Sequence, residues 1–345
     1  MAEGRETGRF RDPMAGPAGR TAGRGARTPW MYVLRSTLRG FSNDHCTDLA
    51  ASLTYFGVLS LFPALLALVS ILGLIGQREA GTAALLKVAE EFAPGSTLSL
   101  VRGPLEQFAA NPAVGAALAA GILGAIWSAS GYVGAFGRAL NRIHGVAEGR
   151  NGLRLRGMQL TVTLVTLVLI TVITVILVVS GPIARAIGGA LDAGDTIETV
   201  WAFAKWPVLA VALVLAIAIL YGATPNVRRP RFRFLSIGAC GAVLILGVAT
   251  LGFGFYIGNF SHYDKTYGSL AGVIIFLLWI WIANVALLFG AELDVQVERG
   301  RELAAGMAAE EGLLLPLKSV KGVRKAEDKR AKDILDARRI RESAR

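Results

Sequence analysis

Carboxylates stand at both ends of the apolar part of this chain. Asp44 and Asp48 lie four residues apart where the first long apolar run begins, and Glu292 and Asp294 follow the last one. A carboxylate at membrane depth can hold a proton or a cation, and such residues mark pathways or relays by default. Asp44 and Asp48 also admit a structural account, in which Ser42, Asn43 or Asp44 caps a helix and the acids complement its positive end, worth about 0.3–1 kcal/mol. Glu292 and Asp294 sit where the last run gives out. A helix ending there presents its negative terminus to them, so they call for a basic partner, and Arg138, Arg142, Arg228, Arg229, Arg231 and Arg233 are available. A salt bridge and a gate or coupling site are both compatible with that pattern.

Uncharged polar positions add a second set. Pro63, in Leu59-Ser60-Leu61-Phe62-Pro63, removes one backbone hydrogen bond in mid-run and leaves the Leu59 carbonyl without its helical donor. A kink or a broken helix is expected there, either as plain structure or as the edge of a cavity that covers irregular backbone. Tyr55 and Ser60 share that run. Asn284 is the lone amide deep in the last run and is expected to hydrogen-bond between helices. Gly121, Gly124, Ser128, Gly131, Gly134 and Gly137 recur every three or four residues, a stripe that admits close approach of a neighbouring helix. Gly254 with Gly258 and Gly268 with Gly272 repeat the spacing. These stripes permit self-association without requiring it.

Several chemistries find no support. His45, His144 and His262 are scattered with no ligand spacing, so neither a metal nor a cofactor is expected. No phosphate-cradling glycine loop, nucleophile elbow or zinc-protease motif occurs, and no catalytic site is expected. The net charge of +11 could suggest nucleic acid, but the cations sit beside apolar runs, where the positive-inside bias and anionic lipid headgroups account for them. Cys46 and Cys240 are too few for a disulfide framework and are read as free thiols.

The elements that must position these residues are six apolar runs, at 49–76, 113–137, 158–181, 201–221, 235–258 and 269–291. Each is long enough to cross a hydrocarbon core of about 30 Å as a helix. Lys and Arg between the runs alternate: 8 before the first, 5 in 138–157, 4 in 222–234 and 13 after Ala291, against three in 77–112, one in 182–200 and one in 259–268. The positive-inside rule then sets both termini in the cytosol. The fold class read from this is an all-α integral membrane protein, a bundle of six transmembrane helices. Residues 1–28, polar and rich in Arg and Gly, read as a disordered leader without the apolar core of a signal peptide. From Pro29, the spacing of Trp30, Val33, Leu34, Leu38 and Phe41 predicts a helix lying in the cytosolic interface. The loop 77–112 has room for two short capping helices. Residues 29–298 form the membrane domain, and 299–345 read as a charged cytosolic tail and a solvated helix.

Four blocks resemble the YihY/BrkB family of bacterial inner-membrane proteins. They are Asp48-Leu49-Ala50-Ala51-Ser52-Leu53-Thr54-Tyr55-Phe56 through Pro63; Trp127-Ser128-Ala129-Ser130-Gly131 with Ala139-Leu140-Asn141-Arg142-Ile143; Tyr221 with Pro225-Asn226; and Tyr267-Gly268-Ser269-Leu270-Ala271-Gly272 leading to Trp279 and Gly290-Ala291-Glu292-Leu293. The sequence departs from the family where Phe232 or Phe234 stands in place of a tryptophan and Ile237-Gly238-Ala239 in place of Pro-Gly-Ala. The resemblance implies a multi-pass protein of the bacterial inner membrane, of a family called a virulence factor and, under an older name, a ribonuclease. Adding its blocks to the residues above gives the candidate cavity or coupling set Asp48, Tyr55, Ser60, Pro63, Ser128, Asn141, Asn226, Tyr267, Asn284 and Glu292. The expected function is a permease for a small molecule or lipid, with membrane lipids as partners. The rival is a scaffold that recruits partners through the basic tail.

Overall fold

A computed structural model describes residues 29–74, 114–190, 194–228, 236–259 and 271–344. The leader 1–28 read as disordered, the segment 77–112 expected to hold capping helices, and Tyr267 lie outside the described residues. Within them the chain is helical: α1 Trp30–Asn43, α2 Cys46–Leu74, α3 Val114–Ile143, α4 Gly152–Ala190, α5 Gly194–Ala223, α6 Ile237–Asn259, α7 Ala271–Ala304 and α8 Lys321–Ser343. The six apolar runs fall on α2 to α7. Such segments, apolar all round, satisfy every backbone group internally only as helices when no water is at hand. Segments of α4, α5, α6 and α7 are each long and apolar enough to cross a membrane.

The six long helices pack in chain order, α2 on α3 and so on to α7, which returns to touch both α2 and α3. The result is a closed ring. Its densest packing among the described residues draws on the starts of α2, α4 and α6 (Cys46, Ala50, Leu53, Val162, Ala239, Ala242), the ends of α3 and α5 (Phe136, Leu140, Ile217, Tyr221) and the middle of α7 (Leu288, Ala291). The helices therefore alternate in direction. Tyr132, Phe136 and Tyr221 stack through that core with ring centroids 6.2 and 6.1 Å apart, and the Tyr221 hydroxyl donates to the Leu287 carbonyl.

Glycine sets the tightest crossing. A Cβ on Gly290 of α7 would lie 2.5 Å from the Gly238 carbonyl oxygen of α6 and 2.6 Å from the Ala242 Cβ, so the two backbones touch. The stripe on α3 works differently from the expectation of one close partner. Gly131 faces Phe56 of α2, Gly134 faces Gln159 of α4, and Gly137 faces Thr224 beyond α5, while Gly124, Gly254 and Gly258 have nothing within 4 Å of a built Cβ.

Three expectations need correction. First, of the kink or break expected at Pro63, the break does not occur, because α2 runs as one helix from Cys46 to Leu74. The Leu59 carbonyl released by the proline accepts a hydrogen bond from the Ser128 hydroxyl of α3 at 3.0 Å, which supplies the missing donor. Second, Ser42, Asn43 and Asp44 belong to the end of α1 rather than to an N-cap of α2. The turn between the helices is made by His45, at φ 53° in the left-handed region that His tolerates better than most residues. Third, α7 does not end at Ala291 but continues to Ala304. Glu292 is thus inside a helix, and the terminal-dipole argument for a basic partner does not apply to it.

Helix α1 packs on α7 and α2. Its inward stripe is Val33, Thr37 and Gly40, with Phe41 against Phe289 at 5.6 Å, while Trp30, Met31, Leu34 and Leu38 remain exposed. The apolar residues read as one face are therefore divided between the bundle and the surroundings. Helix α8 is almost wholly exposed, as expected of a solvated helix. The segment between α7 and α8 is instead pinned to the bundle, as described next.

Candidate functional site

Glu292 is 1% exposed. Its Oε1 accepts from the Nε2 of Gln296, one turn along α7, at 2.8 Å. Its Oε2 and the Oε1 of Gln296 are both buried with no hydrogen-bond partner. Gly40 of α1 lies directly over the carboxyl, where a Cβ would come within 1.9 Å of Oε1, so a side chain there would push the Glu292 carboxyl out of its present position. Among the described residues, none of the arginines expected to pair with it, Arg138, Arg142 or Arg228, forms an ion pair with it, and Arg229, Arg231 and Arg233 lie outside the described residues. Arg299, two turns further along α7, donates instead to the Ala309 carbonyl at 2.9 Å and to that of Glu310. Asp44, half-buried in the α1–α2 turn, has its carboxyl pushed above the usual range by burial, against which the charges of Arg142 and His45 work.

The chemistry follows from donor and acceptor counts. An ionised carboxylate stripped of water with one donor is strongly disfavoured. Two acceptor oxygens of this hydrogen-bonded pair, Glu292 Oε2 and Gln296 Oε1, are buried without a donor. A proton carried on Glu292, or a small cation, would satisfy both.

A second polar line crosses the ring where α2, α3 and α7 meet. The Tyr132 hydroxyl donates to Asn284 Oδ1 at 2.8 Å, and Asn284 Nδ2 donates to Thr54 Oγ1 at 3.2 Å. Thr54 in turn donates to the Ala50 carbonyl. Asn284 does bond between helices, and with two of them.

At the same end, the loops after α3, α5 and α7 are sewn together. Asn226 uses its whole amide: its backbone N–H donates to Asn141 Oδ1 at 2.7 Å, its Nδ2 to the Ala147 and Ser319 carbonyls, and its Oδ1 accepts from the Ser319 N–H. Lys318 Nζ donates to the Gly222 and Ala223 carbonyls, closing the last turn of α5. Arg150 forms a two-pronged pair with Glu148 at 2.7 Å and donates onward to the Thr224 carbonyl at 2.6 Å. Burial opposes ionisation of Glu148, but its hydrogen bonds and charge pairing with Arg150, helped by Asn141, outweigh that and hold its carboxyl below the usual range. A lowered carboxyl adds stability that is full above its unfolded value of about 4.3 and is lost as pH falls through the folded one. Thermal unfolding of the wild type should therefore fall off more steeply below about pH 4.3 than that of Glu148→Gln; parallel curves would deny the pair this role.

The candidate residues thus separate. Glu292 is buried between α7 and α1, and Asn284 is held in polar contacts where α2, α3 and α7 meet. Asn141 and Asn226 spend their amides on the loop clamp. Ser128 serves the Leu59 carbonyl, and Ser60 bonds the Gly57 carbonyl of its own helix. Asp48 is exposed in the first turn of α2, and Tyr55 is 63% exposed. Pro63 is part of the α2 helix. Residues not singled out from sequence include Gln296, Gly40, Tyr132 and Thr54. The spacing Glu292-x-x-x-Gln296 was available as a signal once α7 was allowed to run on; Gly40 gave none.

Comparison with known proteins places these features. The virulence factor BrkB family model matches residues 37–312. YfkH of Bacillus subtilis, named ribonuclease-like, is 30% identical over 79% of this chain and 98% of its own length. UPF0761 membrane proteins of Alkalilimnicola ehrlichii and Acinetobacter baylyi are 32% and 28% identical over 73% and 77% of the chain. The match spans only 55% and 62% of those two proteins. No solved structure matches.

Proposed function

Since this chain belongs to the BrkB family of bacterial multi-pass membrane proteins, we propose that it is a permease for a small molecule or lipid, coupled to a proton or cation bound at Glu292. The observation that carries this is the buried pair of unpartnered acceptors, Glu292 Oε2 and Gln296 Oε1, within an apolar helix. Buried ionisable groups are costly and persist at pathways and relays. The proposal includes six spans and a cytosolic location for the end where α1, the loops at 144–151 and 224–228 and the segment 305–320 converge. Support comes from the basic residues of those segments and the positive-inside rule.

A scaffold is the second reading, favoured by the long exposed α8 beyond the clamp. Nuclease chemistry has less support. Phosphodiester hydrolysis usually wants clustered carboxylates or histidines around metal, and the described residues contain no group of three His, Cys, Asp or Glu so placed.

Mass spectrometry of solutes and lipids retained by gently purified protein tests the permease. A selectively retained species should be present in wild type and depleted in Glu292→Gln. Equal retention by both, or bulk lipid alone, removes the proposal. Truncation separates the rival, provided that the cut follows Arg324 and so spares Lys318, Ser319 and the buried Val323. A permease keeps its activity without α8, whereas a scaffold loses it.

A further inference from the structure

Two arginines on the outer surface of the ring flank one buried amide. Arg156 of α4 places its Cζ 3.9 Å from the Trp127 ring centroid and donates to Gln159 Oε1 at 3.3 Å. Arg138 of α3 places its Cζ 5.8 Å from the Phe56 ring of α2. The point where a Cβ on Gly134 would lie is 2.9 Å from Gln159 Nε2 and 3.6 Å from Arg138 Nη1, so the second guanidinium borders the same amide. The absence of a side chain at Gly134 is what admits Gln159 and Arg138 to this cleft.

Neither arginine has a carboxylate within ion-pair distance among the described residues. Arginine cannot shed its charge. Two guanidinium groups that border one amide, beside apolar surface, make a place for an anion. Their surroundings say of what kind. Trp127 is 67% exposed, Leu123 is exposed one turn away on α3, and Tyr55 and Leu59 are exposed on α2. Those are apolar and aromatic side chains of the sort that meet glycerol and acyl chains, on helices that carry a bilayer-facing surface. Guanidinium forks match phosphate oxygens in pairs, and basic clefts between transmembrane helices hold anionic headgroups.

We propose that the cleft between α2, α3 and α4, with Arg138, Arg156 and the Gln159 amide, binds the phosphate of an anionic phospholipid whose chains lie against Trp127 and Tyr55. The site is on the outside of the ring, away from Glu292, and holds whether or not the protein transports anything.

Native mass spectrometry of the full chain in detergent tests it, with added phosphatidylglycerol, phosphatidylcholine or inorganic phosphate. Phosphatidylglycerol should bind in preference to phosphatidylcholine, and excess phosphate should not displace it. The double variant Arg138→Gln/Arg156→Gln should lose about thirtyfold in phosphatidylglycerol affinity, and each single variant should lose a smaller factor. Arg35→Gln/Arg39→Gln, on α1, should bind as wild type. Unchanged binding by the cleft variants overturns the site, and so does an equal loss in the α1 variant, which would indicate general charge. Displacement by phosphate would make the ligand a free anion and overturn the lipid assignment. Should the double variant not fold, the single variants decide by the same criterion.

Discussion

A Gly290→Val protein should not accumulate as a folded bundle. The position has no slack on any side: a Cβ there would stand 2.5 Å from the Gly238 carbonyl oxygen, 2.6 Å from the Ala242 Cβ and 2.8 Å from the Tyr221 hydroxyl. The first of these is backbone, so no side chain can turn aside to make room. Inserting methylenes into a packed core costs about 1–3 kcal/mol when neighbours can give way. Here α6 must move off α7, and the hydrogen bond from Tyr221 to Leu287 goes with it. The loss should exceed that range. Gly254→Val on α6 is the control, because nothing lies within 4 Å of its built Cβ. Size-exclusion profiles and thermal midpoints of the two variants should diverge sharply. Equal behaviour would mean that the α6–α7 crossing is looser than described.

Glu292→Gln should leave the fold intact and abolish coupled uptake. The amide has the shape of the carboxyl, its oxygen can still accept from Gln296 Nε2, and its own NH₂ brings a donor to a pair that now has two buried acceptors without one. Satisfying that pair should keep stability within about 1 kcal/mol of wild type or raise it. What the amide cannot do is take up and release a proton or balance a cation. Uptake of the co-purifying solute into vesicles, measured with and without an imposed pH gradient, should fall to background while the thermal midpoint holds. A lowered midpoint would assign Glu292 to structure, and full uptake would remove it from the mechanism.

The sequence made some of this legible for reasons that are physical. Runs of some twenty apolar residues leave the backbone no option but a helix, so all six could be placed on helices. Asn284 stood out because an amide amid Leu, Ile and Trp must find a partner, though Thr54 and Tyr132 lie on helices far away in sequence. Glu292 stood out as an acid, but its partner was misjudged. The reading ended α7 where charge begins, whereas a helix ends only where its hydrogen bonds do, at Ala304. Once α7 continues, Gln296 falls on the same face one turn along and supplies the donor that Glu292 has. The glycines of α3 gave their spacing but not their neighbours, since spacing along one helix cannot say which elements surround it. Asn141 and Asn226 belong to loops whose joint geometry exists only after the helices have assembled, and no local pattern encodes that.

The return of α7 to α2 has a consequence for the order in which the molecule is made. Spans leave the insertion machinery in sequence, so α2 and α3 can pair early and α4 can find α5. Until α7 arrives, however, the Tyr132 and Thr54 hydroxyls of the older helices lack Asn284, and the Thr47 carbonyl lacks the Trp281 indole N–H. Every nascent copy thus passes through an open arc in which these groups have yet to meet their partners on α7. The last helix acts as a keystone, and damage to its docking face should be felt by cellular quality control before it is felt by any ligand.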